Sequence, residues 1–391
     1  AEQRWSGRAA YKKALQDFWG DVSSLVTDAE AMGGQEVAAR LREHPSTGDV
    51  LGAVRDLSPL LWCRRPGEAG HCEVRFGLGE QPSRSVVVLP DGRRAPRDVF
   101  GELKQKVSHL ATVKGVPVVG SPLSCGALGV AGPRSAALGV ARALVAQLAS
   151  LHSPAELVIT SVGSGRAARE WDWLKWLPHT SSAHSPLGAS HLASASAPVA
   201  QLLSEVEAVI AGREDNEDRP ATPTILLIIE GDAPADFGRL VSIAEAGWRR
   251  GVVVLWVSPD VTQLPAACRT YVAVDGSGSS RVGYVRSGDV VAPVLVEPLD
   301  ADSALALGRR LSPVTDIGAP VDDASDLPRS VAFLDLAGRG LASDAEAVIE
   351  RWGENQSILS GPRAPRDEHG VIRRIRKAGT LRAVVGQSAG G

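Results

Sequence analysis

The residue types best suited to holding a phosphate lie in Gly126-Ala-Leu-Gly-Val-Ala-Gly-Pro-Arg-Ser-Ala, where a short apolar run gives way to an alanine-rich stretch. A working phosphate loop reads G-x-x-x-x-G-K-[ST]. Its backbone N–H groups and the following helix dipole hold phosphate oxygens, its lysine neutralises them, and its hydroxyl binds Mg²⁺. With Gly129 at the head of that pattern and Gly132 inside it, Arg134 falls on the second glycine, Ser135 on the lysine and Ala136 on the Ser/Thr position. Charge neutralisation, metal ligation and the permissive glycine are all missing, so the segment reads either as a decayed phosphate loop or as a tight strand-to-helix turn.

The acidic partner of such a loop should close a later buried strand. Thr224-Ile-Leu-Leu-Ile-Ile-Glu230 supplies the strand and puts Glu230 at the metal-side position, but Gly231 stands where a water-activating glutamate is needed. Both halves are degenerate, which points to an ATPase-type fold lacking ATPase chemistry, with no catalytic residue and no metal site assigned.

A third cluster, Trp171-Asp-Trp173-Leu-Lys175-Trp176-Leu-Pro-His179, holds three of the nine tryptophans. Interleaved Trp and Lys could stack bases of single-stranded nucleic acid; a stretch this apolar also reads as a buried plug or an interdomain anchor, making these five residues interface candidates. His179, His184 and His191 match no metal-ligand spacing. Cys63, Cys72, Cys125 and Cys268 form no C-x-x-C pair, so isolated thiols are expected, with a Cys63–Cys72 bridge left open. Gly163-Ser-Gly165 is too short for a dinucleotide fingerprint, and no G-x-S-x-G elbow is present. Arg363, Arg366, Arg373, Arg374, Arg376, Lys377 and Arg382 make a local basic cluster that could meet phosphate or an acidic partner, or form a solvated linker.

These candidates need positioning elements. Tyr11, Leu15, Phe18, Trp19, Val22 and Val26 share one face of a helix over residues 1–44, which Gly33–Gly34 should interrupt. That helix either packs on its own domain or leads in as a stalk or coiled coil. Residues 73–78 and 85–89 read as strands, and 100–110 as a helix. From 116 onward short apolar runs alternate with helices: strands at 117–120, 126–130, 156–162, 224–229 and 252–257, helices at 133–151, 199–211 and 236–249. Continuous apolar runs separated by helices demand a parallel sheet covered on both faces. Strands at 271–274, 281–285 and 294–296 read as an antiparallel edge, a helix at 301–311 closes the unit, and a short helix at 342–352 and a strand at 380–386 follow.

The whole chain has 391 residues, 42 Lys+Arg against 45 Asp+Glu and a net charge of -3, with 44% apolar residues. That composition excludes a wholly disordered chain and disfavours a polyanion binder along its whole length. Its apolar runs are far shorter than a membrane span. The chain starts at Ala1 and has a single methionine, Met32, so it is expected to be a piece of a longer protein.

The order of several motifs resembles one family. Leu61-Trp-Cys-Arg-Arg-Pro-Gly leads to Glu73-Val-Arg-Phe-Gly-Leu-Gly. The Gly-Val-Ala-Gly-Pro-Arg turn opens a helix ending Gln147-Leu-Ala-Ser-Leu-His-Ser-Pro. The tryptophan cluster and Leu381-Arg-Ala-Val-Val-Gly complete the set. Together, from about residue 57 onward, they are similar to the region between the membrane anchor and the first complete ATPase domain of actinobacterial FtsK/SpoIIIE-type proteins, most closely the EccC/EssC motors of type VII secretion. The resemblance implies a helical stalk (1–56), a small α/β lead-in (57–115), a degenerate P-loop ATPase-like domain (116–312) and a connector (313–391).

It further implies a coupling or assembly module that does not turn over nucleotide itself. ATP and Mg²⁺ would be used by downstream domains. The expected partners are those domains and membrane-anchored secretion machinery, with homo-oligomerisation possible and direct insertion into the membrane excluded, and the expected place is the cytoplasmic face of the membrane. Two rivals stand beside this reading: part of a DNA translocase touching DNA through the basic cluster, and an atypical active NTPase using Arg134 in place of the lysine.

Overall fold

The computed structural model describes residues 2–68, 70–214, 221–275, 280–316, 333–334, 338–354 and 368–370. Contacts divide the chain into two units, Ala1–Ala319 and Pro320–Gly391. In the second unit the described structure is a 3-10 turn, Arg339–Ala342, and the helix Ala345–Glu354. The expected strand at 380–386 and the basic cluster from Arg363 to Arg382, except for the spacing between them at 368–370, lie outside the described residues.

The first unit opens with α1 (Glu2–Glu43), continuous for 42 residues. Gly33 and Gly34 do not interrupt it. Each helical glycine costs about 1 kcal/mol relative to alanine, a cost the long helix absorbs as it packs on the strand Thr112–Gly120, where an added Cβ on Gly33 would sit at ordinary contact distance, 3.9 Å, from Val113. The expected apolar face also splits in two. Leu15, Trp19, Val22 and Val26 are partly or fully buried, whereas Tyr11 and Phe18 are exposed. A capping box formed by Ser46 and Asp49 starts α2 (Thr47–Asp56), which ends at Leu57 in the left-handed region; α3 (Arg97–Val107) and the short helices α4 (Pro122–Cys125) and α6 (Gly165–Glu170) lie between strands further along.

Ten strands form one mixed sheet: β1 (Val74–Pro82), β2 (Thr112–Gly120), β3 (Ala127–Ala131), β4 (Leu157–Val162), β5 (Leu192–Ala193), β6 (Thr224–Glu230), β7 (Val252–Ser258), β8 (Cys268–Val274), β9 (Ser280–Tyr284) and β10 (Asp289–Val296), in the order β2-β1-β10-β9-β8-β3-β7-β6-β4-β5. The run from β8 to β5 is parallel; β9, β10, β1 and β2 extend it antiparallel. The strands near 271–296 are therefore no edge: β8 runs parallel to β3, and β10 pairs onward with β1. The 57–115 segment contributes strand β1 to this same sheet. Residues 85–89 form no strand; they are an exposed run with Val86 and Val88 facing solvent.

Every residue of β6 and of β7 is buried, as a sheet covered on both faces requires. Alternation sorts them. Leu226 and Ile228 join Val253, Leu255 and Val257 in the core under α5 (Arg134–Leu151). Ile225, Leu227 and Ile229 join Val252, Val254 and Trp256 under α7 (Ser196–Gly212) and α8 (Phe237–Gly247). By this parity Glu230 projects toward the α5 face.

Helix α5 is buried without interruption from Ala137 to Leu151, packed between the sheet, α2 and α9 (Ala301–Leu311). The carbonyls of its last turn are taken by the Trp62 segment: the Trp62 indole donates to Ala149 O at 3.0 Å, and the Trp62 and Arg64 amides donate to Ser150 O and Leu151 O. These are the acceptors a helix end otherwise leaves open. Gln147 donates to Arg75 O and accepts from Arg75 N, each at 2.9 Å, so a side-chain amide completes the backbone pairing of β1. Among the described residues no helix is long and apolar enough to cross a membrane.

Candidate functional site

At the phosphate-loop position β3 ends at Ala131 and α5 begins at Arg134, so only Gly132 and Pro133 make the turn. Gly132 has φ +144°, and an added Cβ would stand 2.2 Å from Val274 O. That close approach explains the glycine: the chain passes directly against β8. A phosphate cradle needs a run of backbone N–H groups wrapped round the anion. Here the turn is short and one of its two residues is a proline, which has no N–H.

Arg134, on the first turn of α5, reaches across β7 to Glu230 at the end of β6. Its guanidinium lies 3.0 Å from Glu230 Oε2, with Glu230 only 3% exposed and Arg134 31%. The other carboxylate oxygen accepts the Trp171 indole N–H at 2.7 Å. Both oxygens that a metal-side acid would offer are thus engaged by protein donors. Glu170 extends the cluster, 4.0 Å from Arg134 Nε and 3.1 Å from Arg142. Arg134 Nε and its second terminal nitrogen, and Arg142 Nε, are buried without a hydrogen-bond partner.

Two cavities flank this network. One, of about 160 Å³, is lined by Ser161, Gly163, Trp171, Lys175, Ser194 and Glu230, well below the roughly 300–1,000 Å³ of a cofactor site. The other, of about 390 Å³, adjoins Gly132 and is lined by Asp260 and Asp275 with Arg281. Two carboxylates against one guanidinium make that wall unfavourable to phosphate. Ser135 and Ala136 offer neither a lysine charge nor a metal-binding hydroxyl at the required place, and Gly129 lies inside β3 against Leu264. The residues present do not fit a Mg-bound triphosphate.

The tryptophan cluster divides. Trp171 and Trp173 are buried and stacked with ring centroids 6.4 Å apart, and His179 is fully buried. Base stacking needs open ring faces, which these two rings lack. Trp176 and Lys175 reach the surface, where Lys175 pairs with Asp172 and Arg309 lies over the Trp176 ring.

Not legible in the sequence was a second cluster. His71, Cys72 and His152 bring three ligand-type atoms within 4.8 Å of one another, all buried. His152 Nε2 accepts the Cys72 amide at 2.9 Å while Nδ1 donates to Leu148 O at 3.0 Å, leaving that ring no free lone pair for a metal. His179 Nε2 donates to His152 O at 2.8 Å. Burial pushes His71 to about 4, His152 to about 3 and His179 to about 4, and pushes the Cys72 thiol up to about 12. The cluster is a neutral anchor joining the Cys72 turn, the end of α5 and the tryptophan segment. Cys63 and Cys72 are both free thiols, Cys63 exposed.

A parallel α/β sheet with a strand-to-helix turn on one strand and an acid closing another, one strand between them, defines a P-loop-like fold. In sequence the chain is similar to EccC proteins of ESX secretion systems. The EccC4 protein of the ESX-4 secretion system of Mycobacterium tuberculosis is 34% identical over 167 residues, 42% of this chain and 13% of that protein. The EccC protein of the ESX secretion system of Thermomonospora curvata is 28% identical over 301 residues, 75% of this chain and 22% of that protein. Among solved structures, ATPases 2 and 3 of EssC from Geobacillus thermodenitrificans align with a TM-score of 0.43 at 12% identity, over 66% of this chain and 51% of that one. No family model matches. The chain spans under a quarter of the length of these two curated relatives.

Proposed function

We propose that this chain is a non-hydrolysing, ATPase-like coupling and assembly module of a membrane-anchored translocase of the protein-export kind. The observation that carries the reading is the Arg134–Glu230 pair: the arginine that replaces the loop's glycine occupies the acid that would face a metal, over a turn too short to wrap a phosphate. The sequence relatives are components of ESX secretion systems, which supports export rather than DNA movement as the parent's task. ATP and Mg²⁺ then belong to other domains of the parent. The partners are those domains and the membrane-anchored machinery, met at the cytoplasmic face of the membrane. The domain division is part of this proposal, with the ATPase-like body passing into a connector after residue 312.

Isothermal titration of the chain with Mg-ATP, together with a phosphate-release assay, tests this reading. No saturable binding at millimolar ATP and no release above buffer are expected. Turnover that disappears in Glu230→Gln would overturn it and favour the atypical NTPase. Duplex-DNA binding that weakens steeply with salt would favour the DNA translocase.

A further inference from the structure

Three arginines crowd one tryptophan where the parallel strands β7 and β8 begin, at the end of the sheet away from Glu230. Trp248, 8% exposed, opens the 3-10 turn Trp248–Arg250 between α8 and β7. The guanidinium of Arg249 lies 4.9 Å from its ring centroid, that of Arg286 at 5.5 Å and that of Arg269 at 5.6 Å. They arrive from separate places: the 3-10 turn itself, the start of β8 and the hairpin after β9. Gly126, at the end of α4, leaves them space. An added Cβ there would stand 3.3 Å from Ala267 O and 3.7 Å from Arg269 Cδ.

Gathered round one ring, the three charges share a patch about one Debye length across, roughly 10 Å. The ring quadrupole attracts each cation, but the cations repel one another. Arg286 donates to Ser124 O at 3.2 Å, and Arg269 to no protein acceptor among the described residues. Neither meets a carboxylate there. Two guanidinium forks are thus held in place by an aromatic ring and left open to an anion.

The rim selects the kind of anion. Val285, whose amide donates to Arg269 O at 2.8 Å, stands beside that arginine and is 56% exposed. Glu245 precedes Arg249 by four residues on the last turn of α8, and Asp289 shares a hairpin with Arg286, across from Tyr284. Both acids are exposed and make no ion pair among the described residues. A nucleic-acid backbone or an anionic bilayer spreads its charge widely and would press on these two carboxylates, and like-charge juxtaposition rejects a partner. A protein segment can set two or three carboxylates between the acids and an apolar side chain on Val285.

We propose that the arginine-ringed Trp248 is a docking surface for an acidic segment of a protein partner, whose carboxylates pair with Arg269 and Arg286 and whose apolar side chain covers Val285. It lies away from the Arg134–Glu230 pair and does not depend on what that pair does.

Fluorescence anisotropy of a labelled synthetic peptide of repeating Asp-Asp-Leu, mixed with the whole chain, tests the surface. Saturable binding is expected, weakened at least about tenfold by Arg269→Gln/Arg286→Gln with circular dichroism unchanged. Arg166→Gln/Arg169→Gln, at two exposed arginines of α6, should leave it unaltered. Val285→Asp, at an exposed position, puts a carboxylate among the arginines and should weaken binding as much. The same peptide with Asn for Asp should not bind. No saturable binding at about 1 mM peptide overturns the proposal. So do equal losses in the two arginine pairs, indifference to Val285→Asp, or equal binding of the Asn peptide. Cosedimentation with phosphatidylserine-containing vesicles should not exceed that with phosphatidylcholine vesicles. Capture by the anionic vesicles that Arg269→Gln/Arg286→Gln abolishes would assign the patch to a membrane surface and overturn the acidic segment.

Discussion

The guanidinium of Arg134 sits 3.0 Å from the carboxylate of Glu230, joining the first turn of α5 to the end of β6 across the strand between them. In a nucleotide-hydrolysing relative of this fold those two places serve phosphate and metal. Here they serve each other, and the Trp171 indole takes the remaining oxygen. On the function proposed above, the pair holds a catalytic position in a structural role.

Removing one partner of a buried pair leaves the other charge uncompensated. Arg134→Ala should therefore destabilise the fold by about 2–4 kcal/mol, toward the lower end of the buried-pair range because a third of the arginine is exposed. Glu230→Gln in the same background should recover part of that loss, since no buried charge then remains. Urea unfolding of the two single variants and the double variant checks this. Additive losses would show that the two residues are energetically independent.

Gly132 makes a prediction of another kind. With φ +144° and a virtual Cβ 2.2 Å from Val274 O, Gly132→Ala forces backbone against backbone and should cost about 3 kcal/mol or more. Gly165→Ala, at the first helical residue of a turn with nothing within 4 Å, should change stability by less than about 0.5 kcal/mol. Comparable losses in the two variants would mean that space at Gly132 is not the constraint.

Much of the architecture could be read from the chain because its signals were local. Ile225–Ile229 in β6 read as an apolar run, Pro133 marked the start of α5, and Ala301–Leu311 was bounded by its own caps. The failures arose where distant packing decided. Gly33 reads as a helix breaker until β2 is known to lie against it. Val86–Val88 read as a strand, yet among the described residues no neighbour supplies a ladder there. Arg134 and Glu230 were both singled out, but 96 residues separate them and no pattern announces that they touch. Glu170 and Arg142 gave no signal at all. His152 looked like the tail of a helix motif, and its partners His71 and Cys72 arrive from a turn 80 residues earlier.

Thiol reactivity should follow burial. Cys63 is exposed, while burial drives the Cys72 and Cys268 thiols up to about 12, and the thiolate is the reactive form. Alkylation of the native chain with iodoacetamide at pH 8, mapped by mass spectrometry, should label Cys63 within minutes and leave Cys72 and Cys268 unlabelled until denaturant is added. Rapid native labelling of Cys72 would contradict the buried anchor.

Acid should loosen the same anchor. His71, His152 and His179 stay neutral in the fold down to about 4, 3 and 4, because burial disfavours the cation and, for the first two, Arg64 adds repulsion. In the unfolded chain each takes up a proton near the ordinary value of about 6.5. The unfolded state thus binds more protons below that pH, and stability falls as pH drops from about 6.5 toward about 4. With all three rings contributing, the slope approaches about 4 kcal/mol per pH unit. Glu68 near His71 works against this shift. Glu156, whose carboxyl burial raises, acts in the opposite sense, whereas Glu43 and Asp49, held low by hydrogen bonds, lose their contribution only at lower pH. Urea unfolding at pH 7.5, 6 and 5 should show the decline. His179→Gln, which keeps an N–H donor for His152 O and cannot ionise, should reduce the slope by about 1.4 kcal/mol per pH unit. A stability that is level across this window in the wild-type chain would rule out the neutral histidine anchor.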